Sequence, residues 1–212
     1  YSALSSACSL GLSDTIKLLR IRGDAMQNAV PNGDGGMIAV LGSNIDEIEN
    51  ILKDFENGFT VQIANDNSES QVVLSGKNPD LVKLMEKLKL NNIKNIKLPV
   101  SAPFHCKLMK NATEIMKKEI EKLNFLDSNK KLISNVTADE ISNKEELKKL
   151  LIEQIKNRVR WRESVLKMIN SGVDHFIEIG PGKVLSGLVK RGNKTVKINT
   201  INNEIDIKDL NI

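Results

Sequence analysis

The stretch Phe59-Thr60-Val61-Gln62-Ile63-Ala64, followed closely by Gln71-Val72-Val73-Leu74-Ser75, decides the fold of the first half of the chain. Both stretches are rich in β-branched residues and are predicted to be strands. A strand over 37–41 and a helix over 46–55 precede them. A helix that Pro79 opens and a strand over 93–100 follow. The resulting order, βαββαβ, is typical of a ferredoxin-like unit, which we assign to residues 35–100.

Outside this unit, helices and strands alternate along the chain. We expect helices over 15–29, 108–123, 145–155 and 161–170, and strands over 131–136, 174–179 and 196–201. Such alternation predicts a parallel sheet and an α/β fold. The interpretation is a large subdomain formed by residues 1–34 and 101–212, into which the small subdomain of residues 35–100 is inserted.

Composition excludes several classes of partner. The net charge of +4 is too small and too evenly spread to indicate nucleic-acid binding. No apolar run is long enough to span a membrane, so we expect neither nucleic acid nor membrane as a partner. The cysteines, Cys8 and Cys106, are far apart and are expected to be free thiols in a reducing compartment. No cluster of histidine and cysteine suggests a metal site.

His105 is the strongest catalytic candidate among the 2 histidines. It closes the run Ile96-Lys97-Leu98-Pro99-Val100-Ser101-Ala102-Pro103-Phe104-His105-Cys106, where a predicted strand ends at a proline. A histidine on such a loop can act as a general base, although a structural role at the strand edge is the alternative. Cys106 is not expected to pair with it, because adjacent residues of an extended loop point to opposite sides. His175 is predicted to be structural.

Arg22 and a group of amides are candidates for substrate binding. Arg22 lies inside an otherwise apolar helix, so it is either a solvated surface arginine or a clamp for a carboxylate. Asn65, Asn67 and Gln71 crowd a predicted loop between two strands. They are either turn-forming amides or the lining of a polar substrate pocket.

Two further motifs can be interpreted either as functional sites or as ordinary structural features. Arg158, Arg160 and Arg162 surround Trp161, which indicates either a solvated face or a docking patch for an acidic partner. The segment Gly180-Pro181-Gly182-Lys183-Val184-Leu185 differs from a phosphate-binding loop, because a valine follows its lysine. We interpret it as a tight strand-to-helix turn.

The chain begins without a methionine. Tyr1-Ser-Ala-Leu-Ser-Ser-Ala-Cys-Ser-Leu10 is small and apolar and has no capping residue, which is typical of the body of a buried helix. We therefore expect that the chain is truncated or that upstream sequence belongs to the same domain.

Several motifs together resemble the malonyl-CoA:acyl carrier protein transacylase family. In order, they are Tyr1-Ser-Ala-Leu, Arg22-Gly-Asp-Ala-Met-Gln27, Asn65-Asp-Asn-Ser68, Gln71-Val-Val-Leu-Ser-Gly76, Pro99-Val-Ser-Ala-Pro-Phe-His105, Asn135-Val-Thr137, Val159-Arg-Trp161 and Glu178-Ile-Gly-Pro-Gly-Lys-Val-Leu185. The resemblance extends from Tyr1 to about Val196, and it is the ordered set that makes it specific.

The resemblance implies an α/β-hydrolase-like large subdomain and a ferredoxin-like small one. It also implies a reaction of fatty acid synthesis, in which a serine takes a malonyl group from coenzyme A and passes it to the phosphopantetheine thiol of acyl carrier protein. Malonyl-CoA and acyl carrier protein are then the partners. No cofactor is expected, because the coenzyme A thioester is a substrate, and the protein is expected to be a monomer.

The resemblance also assigns roles to individual residues. His105 corresponds to the base that activates the serine, and Gln154 to the residue whose backbone carbonyl orients that base. Arg22 corresponds to the clamp on the malonyl carboxylate. Asn67 and Gln71 correspond to residues that line the pocket. Phe104, just before the histidine, suits a pocket for malonyl rather than for a branched acyl group.

The chain departs from the family in two places. The family's nucleophile lies in a Gly-His-Ser-Leu-Gly turn just before the residue that corresponds to Tyr1, so we expect the serine to lie upstream and the 212 residues alone to be inactive. Glu69 also stands where the family often has proline.

Two other functions stay open beside the transacylase. One is a non-catalytic fragment that binds acyl carrier protein or coenzyme A, and the other is an acyltransferase domain of a larger synthase. The abundance of lysine, asparagine and isoleucine suggests an AT-rich genome, which favours a bacterial cytoplasm or a plastid-like organelle.

Overall fold

A computed structural model describes residues 1–55, 57–208 and 210. Its helices are α1 Ser2–Ser6, α2 Leu12–Gln27, α3 Ile45–Leu52, α4 Asn78–Leu90, α5 Lys110–Glu121, α6 Lys144–Glu153, α7 Trp161–Asn170, α8 Val184–Gly192 and α9 Glu204–Lys208. Its strands are β1 Gly35–Leu41, β2 Gln62–Ser68, β3 Gln71–Lys77, β4 Lys94–Lys97, β5 Leu132–Ile133, β6 Glu140–Ile141, β7 His175–Ile179 and β8 Lys197–Ile201. The predicted α/β class is confirmed.

The first four strands form one antiparallel sheet in the order β2-β3-β1-β4. Side chains alternate between the two faces of a strand, and apolar residues of this sheet are buried on both faces. Ile38 and Leu74 lie on one face, fully buried against Ile48 of α3 and Leu84 of α4. The other face is smaller and contributes residues such as Val73 to a second cluster, which reaches the loop before His105.

The close approach of β2 and β3 depends on Gly76. A Cβ added at this position would lie 2.8 Å from the Cα of Val61, so backbone would have to move. We expect Gly76→Ala to lower the free energy of unfolding by about 1–3 kcal/mol in urea denaturation. Gly23→Ala is the matched control. Nothing lies within 4 Å of its added Cβ in helix α2, and we expect a gain of up to about 1 kcal/mol. Equal stability of Gly76→Ala and the wild type would contradict this packing.

A second core lies between the helices. Leu18 and Met26 of α2 pack with Met116 and Ile120 of α5, and Ile155 after α6 closes the cluster. The core is aliphatic and rich in methionine, as a chain with 3% aromatic residues requires.

Only part of the predicted parallel sheet is present among the described residues. The strands β7 and β8 pair in parallel from His175↔Lys197 to Ile179↔Ile201. The predicted strand over 131–136 is instead the two-residue strand β5, which pairs antiparallel with the unpredicted strand β6. The reason is a hairpin turn, in which the Ser134 N–H donates to the Asp139 carbonyl at 3.0 Å.

Several predicted boundaries differ from the structure. The strand predicted over 93–100 is Lys94–Lys97, and the helix predicted over 46–55 is Ile45–Leu52. Helix α2 begins at Leu12 rather than at residue 15, so Leu12-Ser13-Asp14 belongs to the helix and Gly11 is its N-cap. Strand β2 runs over Gln62–Ser68 rather than 59–64, which places Asn65 and Asn67 in a strand and not in a loop. Pairing with β3 through the two-residue turn 69–70 outweighs the low strand propensity of asparagine.

Candidate active site

His105 lies on a constrained loop. Its φ is +58°, a left-handed conformation that is costly for a residue with a Cβ. The neighbours hold it there. The backbone N–H of Lys107 donates to Oε1 of Gln62 at 2.7 Å, and Cys106 is buried with its Sγ 3.1 Å from the Pro103 carbonyl. Strain that the surroundings maintain is typical of a functional position.

The histidine ring is oriented by one hydrogen bond. Nδ1 of His105 lies 2.9 Å from the backbone carbonyl of Gln154, the residue that caps the C-terminus of α6. A carbonyl oxygen only accepts, so Nδ1 carries the proton and donates it. The remaining nitrogen, Nε2, is then the one with a free lone pair, as a general base requires.

The surroundings also favour the neutral form of His105. Burial lowers its pKa, and the positive charge of Arg22 lowers it further, whereas hydrogen bonds to the backbone of Gln154 and Asn157 oppose the shift. A lower pKa keeps the imidazole unprotonated down to lower pH. The site therefore holds a histidine that is ready to accept a proton.

Arg22 is half-buried beside the histidine. Its Nε is buried and has no hydrogen-bond partner among the described residues. Its guanidinium carbon lies 5.5 Å from the centre of the Tyr1 ring. Burial raises the pKa of the Tyr1 phenol to about 12, so Tyr1 is neutral and cannot balance the arginine's charge. A buried N–H without an acceptor is costly, so this position fits an anionic ligand.

Two cavities flank the His105–Gln154 pair. An open groove of about 400 Å³ is lined by His105 together with Gln62, Lys156 and Arg158. A smaller cavity of about 100 Å³ is bounded by Tyr1 and Gln154, among other residues. The histidine is thus reachable from solvent on the side of the groove.

The other predicted site residues are placed differently. Asn67 lines a separate cavity of about 40 Å³ with Trp161 and Arg162, not the groove of His105. Gln71 is the first residue of β3 and pairs with the last residues of β1 and β2. Phe104 is half-buried and packs against both the helical core and the smaller face of the sheet. The structure therefore brings together Arg22, His105 and Gln154, with Tyr1 beside them.

The three arginines around Trp161 are partly exposed and are paired with carboxylates of the chain. Nη1 of Arg158 lies 3.1 Å from Oε1 of Glu49, and Nε of Arg160 lies 2.9 Å from Oε1 of Glu163. Arg162 is paired with carboxylates as well. Each arginine is thus engaged within the chain, a pattern that residue spacing along the sequence does not reveal.

The glycine turn and the second histidine have structural partners. The carboxylate of Glu178 accepts from the backbone N–H groups of Leu185 and Ser186, at 3.1 and 2.7 Å. An anion is thus already bound at the start of α8, which agrees with a tight turn rather than a phosphate loop. Nε2 of His175 bonds Oδ1 of Asn199 at 2.8 Å, as expected of a structural residue.

Three features of the site have no signal in the local sequence. They are the proximity of Tyr1 to Arg22, the hydrogen bond from the Lys107 N–H to Gln62, and the buried carboxylate of Asp66. Within the described part of the chain, no three histidine, cysteine or acidic side chains are grouped so that they could hold a metal ion. None of the described helices is long and apolar enough to cross a membrane.

Comparisons with known proteins identify the family of this chain. A family model described as an acyl transferase domain matches residues 1–206. The malonyl CoA-acyl carrier protein transacylase of Bacillus subtilis (strain 168) is 44% identical over 199 residues, which cover 93% of this chain and 63% of that protein. The chain thus spans less than two thirds of the length of this relative.

Solved structures give the same result. The malonyl CoA-acyl carrier protein transacylase from Clostridium perfringens superposes with a TM-score of 0.94 at 39% identity, covering 99% of this chain and 66% of that one. A malonyl-transacylase solved in complex with a type II PKS acyl-carrier protein gives a TM-score of 0.93 at 33% identity, covering 98% and 68%. With a family model that matches nearly its whole length, this chain belongs to the acyl transferase domain family.

Proposed function

We propose that this chain is part of an enzyme that transfers a malonyl group from coenzyme A to the phosphopantetheine thiol of acyl carrier protein, for fatty acid synthesis. The observation that carries the proposal is the buried, unpartnered Nε of Arg22 beside a neutral, oriented His105. A cation for a carboxylate and a base for a nucleophile are what this substrate needs at adjacent positions. Bacterial relatives named for this reaction support the proposal.

In this mechanism, His105 moves one proton in each direction. Nε2 takes the proton of the serine hydroxyl as its oxygen attacks the malonyl thioester, and the Gln154 carbonyl stabilises the imidazolium that forms. The carbon–sulfur bond then breaks, and the same proton goes to the departing thiolate of coenzyme A. The thiol of acyl carrier protein reverses these steps. We propose that the nucleophile of the complete enzyme is a serine, which the family resemblance puts just before the residue that corresponds to Tyr1.

Arg22 supplies the selectivity for malonyl. The free carboxylate of malonyl gives the buried Nε of Arg22 a charged acceptor, whereas an acetyl group leaves this N–H without one. We assign Phe104 to the lining of the acyl pocket, as the family resemblance implies. The same assignment for Asn67 and Gln71 rests on the resemblance alone, because Asn67 lines a separate cavity and Gln71 lies at the start of β3.

The groove of about 400 Å³ beside His105 suits the extended thioester arm of both substrates. The ammonium of Lys156 and the guanidinium of Arg158 border it. They are paired with Glu153 and Glu49, so a phosphate on that arm would share these cations with the carboxylates. The similar malonyl-transacylase that was solved in complex with an acyl-carrier protein supports this choice of partner.

We further propose the division into subdomains, with residues 35–100 as a ferredoxin-like unit inserted in an α/β-hydrolase-like subdomain of residues 1–34 and 101–212. The element order βαββαβ and the strand order β2-β3-β1-β4 support the small unit. We also expect a monomer without a cofactor. A bacterial cytoplasm or a plastid-like organelle is the expected compartment, and bacterial relatives favour the former.

The test uses the complete protein, radiolabelled malonyl-CoA and acyl carrier protein with its phosphopantetheine arm. We expect a malonyl adduct on a serine of the protein and label on the carrier. Carrier protein without the arm is the matched control and should remain unlabelled. Binding of the carrier with no adduct on any residue would replace the enzyme with a non-catalytic carrier-binding protein. A continuous reading frame into a further synthase domain would instead mark a domain of a larger synthase.

A further inference from the structure

Strand β2 carries an extra contact at the free edge of the four-stranded sheet. The backbone N–H of Val159 donates to the Ala64 carbonyl at 2.8 Å, and the Val159 carbonyl accepts from the Asp66 N–H at 2.9 Å. Val159 thus forms a parallel bridge with the strand, paired with Asn65. This bridge joins the sheet to the segment that follows helix α6.

A buried ion pair reinforces the bridge. The side chain of Asp66 is fully buried, at 0% exposure, and both of its oxygens lie 3.1 Å from Nε of Arg162. Nη2 of Arg162 lies 3.0 Å from Oδ2 of the same carboxylate. Two nitrogens of one guanidinium facing one carboxylate define a direction as well as a distance. The pair therefore fixes how the start of α7 lies on β2.

The same strand also contacts the loop of His105. The backbone N–H of Lys107, two residues after the histidine, donates to Oε1 of Gln62 at 2.7 Å. At its middle, β2 binds Val159, which follows Gln154 closely in the chain. Strand β2 is thus hydrogen-bonded both to the loop of His105 and to the segment that follows Gln154, the two segments that the His105–Gln154 hydrogen bond joins.

We propose that Asp66 and Arg162 are positioning residues, whose buried pair aligns the Gln154 carbonyl with Nδ1 of His105. The proposal rests on the proposed function in taking His105 as the base. Neither residue touches the histidine, and they act through the bridge at Val159 and the short segment between Gln154 and Arg162.

We expect the pair to act on rate rather than on stability, because a buried ion pair fixes the relative position of two segments but adds little to the free energy of unfolding. Desolvation of both charges offsets most of their attraction, so such pairs are often close to neutral for the free energy of unfolding. A base displaced by about 1 Å, in contrast, costs a factor of up to about 10² in rate. Loss of the pair should therefore reduce kcat for malonyl loading and leave KM for malonyl-CoA nearly unchanged.

The test is Asp66→Asn in the complete protein, with the imidazole nitrogen shifts measured by NMR. This chain contributes 2 histidines, so the signals of His105 can be read beside those of His175 as an internal reference. We expect a smaller fraction of the Nδ1–H form at His105, unchanged signals at His175 and a roughly tenfold lower kcat. Lys87→Gln is the matched control. It removes an ion pair with Asp54, 2.9 Å long, that lies outside both β2 and the segment from Gln154 to Arg162, and both readouts should stay at wild-type values.

Arg162→Lys is the second variant, because it keeps a positive charge next to Asp66 and loses the two-nitrogen contact. It should fold, and the fraction of the Nδ1–H form at His105 should fall, but by less than in Asp66→Asn. A wild-type Nδ1–H fraction and kcat in Arg162→Lys would overturn the proposal, whether or not Asp66→Asn folds. The histidine signals do not depend on transfer. Absence of malonyl transfer in the wild type would thus refute the proposed function and leave the positioning role to be judged by NMR.

Discussion

His105→Ala is expected to abolish malonyl loading of the complete protein, with a loss on the order of 10⁴ to 10⁶ in rate. The imidazole is the group placed to take the serine proton, because Nδ1 is committed to the Gln154 carbonyl at 2.9 Å and Nε2 is free. Single-turnover labelling with malonyl-CoA measures this step directly. His175→Ala is the matched control, since His175 bonds Asn199 in the β7–β8 pair, and it should load at close to the wild-type rate. Near-normal loading by His105→Ala would remove His105 as the base.

The pH profile of loading checks the same role without a substitution. The base is active when neutral, so loading should rise with pH through the pKa of His105 and then level off. Burial and the charge of Arg22 lower that pKa from its ordinary value of 6.5, which places the acidic limb below this value. An acidic limb centred above pH 6.5 would contradict a lowered pKa of His105.

Arg22→Ala is expected to reverse the preference for malonyl over acetyl. Malonyl transfer should fall by a factor of about 10² to 10³, because the carboxylate loses a charge-assisted donor in a buried position. Acetyl transfer should stay constant or rise, since the substitution removes a half-buried cation whose buried Nε an acetyl group cannot satisfy. The measurement is kcat/KM for malonyl-CoA and acetyl-CoA with the same carrier protein.

Arg20→Ala provides the matched control for this change. Arg20 lies two residues earlier on the same helix, but its side chain is 83% exposed and is paired with Asp24. Its removal should leave the rates with both acyl groups within about twofold, as is usual for a surface ion pair. Equal loss of malonyl and acetyl transfer in Arg22→Ala would exclude the clamp.

Local patterns in the sequence determined much of the fold. The order βαββαβ followed from alternating apolar residues and from Pro79 at the start of a helix, and the structure has these elements in this order. The loop position of His105 followed from the proline that ends the strand before it. Helix α7 was predicted with the bounds it has, Trp161–Asn170. These features depend on neighbours within a few residues, which is the range that periodicity reports.

The tertiary structure alone decided how the site is built. The register of β2, with Asn65 inside the strand, depends on pairing with β3, and the pairing of β5 with β6 depends on a hairpin turn. The bond from His105 to Gln154 spans 49 residues, and the one from Arg162 to Asp66 spans 96. Contacts over such distances arise when packed elements bring separate segments together. No local pattern encodes them, and the orientation of the base is therefore a property of the folded chain.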